Sequence, residues 1–585
     1  MSYLYKNIAS SNRIFHKHSN FLIFGIALFV FGISPSSFSQ TSPGAIEPII
    51  TEQERLEPAP SVIETVEPST SESAPLSSNA EIKIPVEAIG LSYFPEKHKL
   101  SSDIVSDLEA KVRNFVSLSD GVYTLTQLNQ FASELTRHLR DEGYALSSVF
   151  VPAQKVAQGS VVLQVVPGLL SEVDAVDSRL YSVSDVESVF GRYVERPVNA
   201  NQLEEKLLLL NDLPGLSARG AFSAAERTGF TNMRLVLEEQ DKIEFRVRLD
   251  NYNVESTGDL RFLAGASVNN ITGNRDRLDV DFVQTFDEGD LTNASVQYQI
   301  FSPNLRHRFG GRYSQSDYDT ESASFSVDGE NRLGELFWRA AWLRSSALNF
   351  STRTSLAVKK AEQTTTDEED ELTVFGLSLD GDNIDRRFNG LNGVSVGYYR
   401  GLNNTIGSLG SRGAPDSLRT GISGDFEKWL VSLQRVQLLG AANRLHLRAA
   451  GQFTNDQLSS LEQVNLGGPF SVRAFALGIA SGDRSKFASV EWRSDWFPFA
   501  NSAAYGEYTW KEILDVSLFV DYGKVTGVGI DNAEEGAGAG LAISAADPSR
   551  RWRAELSAAF PFQDDDQFGG DLDDEQIWFS LSGFF

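Results

Sequence analysis

The sequence predicts a membrane-spanning antiparallel β-barrel of about 16 strands, preceded by two small α+β domains. Three observations carry that reading. From Phe245 to Phe585 apolar and polar residues alternate with period 2, segment after segment. All eight tryptophans (Trp338, Trp342, Trp429, Trp492, Trp496, Trp510, Trp552 and Trp578) fall in that region, many beside charged residues. The stretch before it holds helical patterns of 3.6-residue spacing set between short strand-like runs.

Composition narrows the class first. Of 585 residues, 41% are hydrophobic and 22% charged, too polar for a bundle of transmembrane helices and too apolar for a disordered chain. Asp and Glu total 79 against 52 Lys and Arg, a net charge of −27. Phosphate binding needs a basic surface, so nucleic acid is not expected as a partner. There is no Cys, which excludes disulfide staples, thiolate zinc sites and a cysteine nucleophile.

Residues 1–39 read as a secretory signal peptide. Lys6, Arg13 and Lys17 precede an apolar run at 21–33, too short to span a bilayer comfortably, and Ser37 and Ser39 are the small residues before a cleavage point. Export without Cys suits a Gram-negative periplasm or outer membrane. Residues 40–80 read as an acidic linker with six of the 19 prolines and seven Glu against the single Arg55. It buries little and is expected to stay extended, with room for one short helix at 51–56.

Residues 81–167 form the first α+β unit. A strand is expected at 81–86 and a helix at 124–142, whose Leu125, Leu128, Ala132, Leu135 and Leu139 share one face. Thr124 with Gln127 forms a capping box, and Gly143 supplies the stop. Strands follow at 148–151 and 160–166. A second unit, 168–241, repeats the theme. A strand at 171–176 leads to a helix near 185–190 and a helix capped by Asn199 and Gln202 that carries Leu203, Leu207 and Leu210. Asn211 to Gly215 ends that helix, and Met233, Leu235 and Leu237 alternate in a closing strand. Neither unit holds a catalytic constellation. Their strand edges could pair with an extended client.

Residues 242–585 form the barrel. Ala294, Val296, Tyr298 and Ile300 alternate with Ser295, Gln297 and Gln299; Leu514, Val516, Leu518, Val520 and Tyr522 alternate with Asp515, Ser517, Phe519, Asp521 and Gly523. One apolar face and one polar face suit lipid outside and water inside. The tryptophans are expected in interfacial girdles touching outer-membrane lipid. The last strand, with Ile577, Phe579, Leu581 and Phe585 on one face, must pair with the first, because lipid tolerates no open edge. Acidic stretches at 367–371 and 564–574 are expected between strands as solvated loops; a calcium site there is the weaker alternative.

The motifs now resemble a family. Leu461 to Gly468 leads into Val472-Arg473-Ala474-Phe475 and then Gly482-Asp483, with Phe519-Val-Asp521-Tyr-Gly523 downstream. This is similar to the outer-membrane transporters of two-partner secretion (TpsB type, hemolysin secretion/activation proteins). Residues 143–154 and 159–168 resemble the family's first polypeptide-transport-associated (POTRA) domain, and 210–215 its second. Asp250 to Tyr252 with Ser256 to Gly258 resembles the start of its first barrel strand. The resemblance implies that Val472, Arg473, Ala474 and Phe475 form the tip of the sixth outer loop, folded back into the barrel. It also implies that Arg473 contacts Asp521 of the wall motif Phe519, Asp521, Gly523. Ala474 stands where the family has Gly, and Phe475 where it has Tyr. The family's plug helix has no evident counterpart in the linker beyond Gln53 to Leu56. Independently, strand parity puts Asp521 on the lumen side, where an Arg fork would fix it.

The function implied is secretion of one large partner protein, an exoprotein with an amino-terminal secretion domain, across the bacterial outer membrane. The POTRA domains lie in the periplasm; no cofactor, metal or enzymatic step is needed, and a monomer is expected. Three alternatives compete with it. One is insertion of other barrels by a member of the same superfamily, and another is a passive porin. The third is an outer-membrane hydrolase built on Gly393-Val-Ser395-Val-Gly397 with His446, although Tyr398 and Tyr399 continue a strand where a nucleophile elbow needs a turn.

Overall fold

The computed structural model describes residues 83–585 apart from 98–99, 118–120, 157, 177, 287–289, 323–324, 365–367, 411–416, 530–532 and 563–574, together with the short strands Val30–Phe31, Arg55–Leu56 and Ile63–Thr65. The rest of the signal and linker readings lie outside the described residues, as does the whole second acidic stretch. Arg55–Leu56 pairs with Val30–Phe31, so the helix expected at 51–56 does not reach its last two residues. Two compact units divide between Gln240 and Asp241.

In the first unit, the strand Ser160–Val166 sits between Ala88–Tyr93, parallel to it, and Ser148–Phe150, antiparallel. The helices Ser102–Ser117 and Leu125–Asp141 supply the apolar layer. Thr124 and Gln127 exchange side-chain and backbone hydrogen bonds at 2.8 and 3.2 Å, which satisfies two of the donors that every helix start leaves open. Leu128, Phe131, Leu135 and Leu139 are buried, whereas Leu125 is 44% exposed. Helical periodicity carries the stripe to Leu125, but the packed layer begins one turn later. Gln154 finishes the sheet. Its side chain donates to Val162 O at 2.7 Å and accepts from Val162 N at 2.8 Å, completing the ladder beyond the short Ser148–Phe150 strand.

The neighbouring α+β fold follows without a gap. Ser147 Oγ donates to Pro167 O at 2.6 Å, and Gly168 (φ +63°) sits so close to Leu146 that a Cβ there would lie 2.5 Å from its carbonyl oxygen. Its sheet runs Ile63–Thr65, Leu216–Ala224, Phe230–Glu239, Leu169–Ala175. The strand Leu216–Ala224 was not expected from sequence. Its buried face is Leu216, Ala218, Gly220 and Phe222, and small residues contribute little to a hydrophobic period. Helix Ala200–Asn211 is capped by Asn199, which accepts from Gln202 N at 3.3 Å.

No described helix is long and apolar enough to cross a membrane. The second unit crosses with strands: sixteen of them close into one antiparallel barrel. They range from the 8-residue Ile243–Asp250 to the 20-residue Phe325–Arg344. The last strand, Gln576–Phe584, pairs with the first from Arg246↔Phe584 to Asp250↔Ser580, and Phe245 and Phe585 exchange backbone bonds of 2.9 Å beyond it. With an even strand number the chain enters and leaves the barrel at the same end. Leu336, Leu433, Leu518 and Leu581 are exposed outward, each by more than half, as a lipid face requires. Inward, charges pair across strands, as Arg353 with Glu335 at 2.8 Å.

Three sequence expectations need correction. Residues 368–371 do not lie between strands; they begin the strand Glu368–Asp385, where Lys360 on the neighbouring strand takes Glu369 at 3.0 Å and so makes the acidic run compatible with a ladder. Asp250 to Tyr252 marks the end of the first barrel strand rather than its start, with the short turn Glu255–Thr257 after it. Trp578 is not in a girdle: it is buried to 4% exposure and faces the lumen, because its ring nitrogen has a partner there.

One acid in the α+β unit offers a pH test. Burial of Glu239 opposes its charge, but the Ser178 hydroxyl (2.5 Å) and the N–H groups of Arg179 (2.8 Å) and Leu180 (3.0 Å) outweigh it and hold the carboxyl below the usual range. A lowered carboxylate adds stability above the unfolded-state value of about 4.3 and loses it as pH falls through the folded value. Hydrogen exchange at the Arg179 and Leu180 amides of the full chain should therefore be slower in the parent than in Glu239→Gln at pH 7. The difference should shrink steadily below pH 4.

Candidate functional site: a loop tip latched to the barrel wall

Residues 455–483 join the eleventh strand, Asn443–Thr454, to the twelfth, Arg484–Ser494, at the end opposite the chain's point of entrance. This connection turns inward. Val464–Leu466 and Ala480–Gly482 pair as a two-stranded stalk, and Gly467 and Gly468, with φ of +91° and +86°, turn the chain into the tip. A Cβ at Gly467 would lie 2.0 Å from Ala476 O, so only glycine fits. Gly468 N donates to Phe475 O at 2.8 Å and closes the tip.

Arg473 projects from that tip and is 5% exposed. Its Nε and Nη2 donate to Asp521 Oδ2 and Oδ1 at 2.8 and 3.0 Å, the two-pronged geometry that only a guanidinium offers a carboxylate. Its backbone N–H adds a third bond to Asp521 at 3.2 Å. Nη1 reaches Glu491 Oε2 at 2.8 Å, and Glu491 also takes Arg493 at 2.6 Å. Glu491 is thus shared between the loop arginine and an arginine of its own strand. Ser489 Oγ donates to Asp521 Oδ1 at 2.7 Å. The guanidinium carbon lies over the Phe519 ring, 3.3 Å from its centre. Trp578 Nε1 donates to Arg473 O at 2.7 Å. One residue therefore joins the twelfth, thirteenth and sixteenth strands.

The apolar residues of the tip fill space that wall glycines leave open. Val472 packs where a Cβ on Gly523 would stand 2.6 Å away, which accounts for the glycine of the wall motif. Ala474 meets Gly538, where an added Cβ would come within 2.3 Å, and the Phe475 ring lies over Gly536. Ala474 has no positive φ, so its methyl group is accommodated without backbone strain. Phe475 is 1% exposed. Glu491, Ser489 and the glycines 536 and 538 were not singled out from sequence, and Trp578 was placed in a girdle instead. Gly536, Gly538 and Gly540 share a parity, and that bare stripe was the available signal for a packed lumen face. Ser395 lies in mid-strand within Gly390–Gly401, its hydroxyl donating to Asp380 at 2.7 Å, with no turn beneath it.

A sixteen-stranded barrel with a loop drawn into its lumen, preceded by small α+β modules, defines a protein transporter of the bacterial outer membrane. The chain belongs to the haemolysin secretion/activation protein family ShlB/FhaC/HecB, whose model matches residues 229–545, while the model of the ShlB-type POTRA domain matches residues 108–168. It is 24% identical to the heme/hemopexin transporter protein HuxB of Haemophilus influenzae strain Rd over 532 residues, 86% of this chain and 87% of that one. It is 21% identical to the outer membrane transporter CdiB of Dickeya dadantii over 379 residues, 63% of this chain and 66% of that one. Among solved structures, CdiB from Escherichia coli superimposes with a TM-score of 0.69 at 19% identity, covering 88% of this chain and 93% of that one. CdiB from Acinetobacter baumannii gives 0.61 at 17% identity, covering 87% and 91%. The protein is a two-partner secretion transporter of the outer membrane with periplasmic POTRA modules.

Removing Arg473 leaves Asp521 buried without its fork, and stranding a buried charge costs about 3–5 kcal/mol. The loop answers to that cost more than the wall, whose interstrand bonds do not involve Arg473. Because the chain has no Cys, a thiol placed by Ala474→Cys reports the tip without background. Arg473→Ala and Asp521→Ala should each raise its reactivity toward a water-soluble reagent, and the double variant should be little worse than either. Arg473→Lys should not restore protection. Gly538→Leu should loosen the tip with the ion pair intact.

Proposed function

We propose that this transporter exports one large partner protein, caught in the periplasm as an extended chain by strand addition to the POTRA units and passed outward through the barrel. The supporting observation is the edge of the second sheet. Ile63–Thr65, a short piece of the linker, lies parallel to Gly220 to Phe222 as an added strand, so this edge accepts an extended segment through backbone bonds alone. This pairing supports strand addition as the mode of capture. The domain limits that accompany this reading are 40–80 for the linker, 81–167 and 168–241 for the two POTRA units, and 242–585 for the barrel.

Arg473 and Asp521 act in this reading as the latch that keeps the loop in the lumen, and they carry no chemistry. In this reading the transporter works as a monomer, without cofactor, metal or nucleotide. Strand addition is favoured over barrel insertion as the role of the units because the chain brings two of them and a matching family of secretion proteins.

The test uses the full chain in detergent and the amino-terminal segment of the exoprotein encoded beside it. Binding should be measurable, should weaken with salt because the surface is strongly charged, and should be lost when residues 81–241 are deleted. Arg473→Ala and Asp521→Ala should lower export while the barrel still assembles. No binding to that segment, together with normal export after deletion of 81–241, would overturn the proposal.

A further inference from the structure

The loop at 455–483 is tied down a second time, at its feet. Glu462, on the way in, is 1% exposed. Its carboxylate lies between Lys428 Nζ at 2.7 Å and Lys359 Nζ at 2.6 Å. Lys428 also donates to Gln452 Oε1 and Glu462 O, each at 3.0 Å. On the way out stands Asp483, fully buried. It accepts from Arg419 Nη1 and Nη2 at 2.5 and 3.2 Å, from Gln463 Nε2 at 3.0 Å, and from the N–H groups of Leu458 and Val528 at 3.1 and 2.7 Å. Arg419 belongs to the connection 402–426 and Val528 to 527–532, so this one carboxylate gathers three connections at the far end. Leu458 and Leu461 bury themselves against Ala361, Leu372, Val374 and Phe426 beside it.

The position of these ties round the wall matters. Lys359 stands on the seventh strand and Lys428 on the tenth, whereas Asp521 stands on the thirteenth. The feet and the tip are therefore anchored to walls up to six strands apart in a ring of sixteen. A loop held that way is a strut across the lumen, and a passing chain cannot share the space until one end lets go. The feet continue into the eleventh and twelfth strands while the tip is joined to the wall only by noncovalent contacts, so the tip is the end that can leave.

We propose that Glu462 and Asp483 are positioning residues that fix the feet of this strut, aim the tip at Asp521, and so keep the channel shut between transport events. The proposal rests on the transport reading above. It assigns the hinge to residues that the tip motif does not include.

The experiment places the full chain in planar lipid bilayers and in liposomes, with Ala474→Cys as the thiol reporter. Lys428→Met/Glu462→Gln removes one charge of each sign, and Arg419→Gln/Asp483→Asn does the same at the other foot. Each pair should raise ion conductance and reporter reactivity, the latter on the order of tenfold as the undocked state gains population, although Arg473, Glu491 and Asp521 are untouched. Asp483→Glu, which keeps the charge, should return both readings toward the parent. Folded variants with parental conductance and labelling overturn the strut. So does failure of both pairs to assemble while Asp483→Glu assembles, which would make these residues folding determinants only. A parent that does not export its partner, with labelling changed as expected, would instead count against the transport reading alone.

Discussion

Inside hydrocarbon no backbone N–H or carbonyl can be left without a partner, and every other feature of the membrane unit follows from that constraint. It requires the sheet to close on itself, and closure brings Gln576–Phe584 against Ile243–Asp250. It also sets the division of labour between side chains. Those facing outward must suit lipid, and those facing inward are free to carry charge because water or a counter-charge reaches them. The lumen is therefore where this chain keeps chemistry that lipid forbids.

What fills the lumen is held there by opposite charges. Arg473 pairs with Asp521 and Glu491, and Glu462 with Lys359 and Lys428. Buried pairs of this kind gain little net stability over apolar packing, but breaking one partner is costly. That asymmetry suits a latch. It holds one geometry firmly, and releasing it as a unit, with water entering behind the loop, exposes all partners together rather than stranding one. The Phe519 face and the bare glycines opposite the tip sharpen the choice of position without adding charge.

The α+β unit solves a different problem. Its sheets end in edges that water can satisfy, and the same edges can be satisfied by another chain. Gln154 covers one stretch with its own amide, and Ile63–Thr65 covers another with backbone. A module that recognises an extended client through such an edge needs no pocket and no catalytic group.

Strand alternation, the tryptophan distribution and a composition too polar for a helical bundle made the barrel legible in the sequence, because lipid imposes its demand residue by residue with period 2. Parity likewise placed Asp521 inward, and the capping box at Thr124 and Gln127 is local by nature. The strand Leu216–Ala224 escaped because its buried face is mostly small residues, and Trp578 was misplaced because a tryptophan near a strand end reads the same whether it faces lipid or lumen. Tertiary structure alone decided that Glu491, Ser489 and Trp578 surround Arg473 and that Glu462 lies between two lysines from separate strands. Those contacts join positions on different strands and loops, and which of them meet depends on strand register and on how a loop folds back through the barrel. Neither quantity is written in the alternation of any single segment.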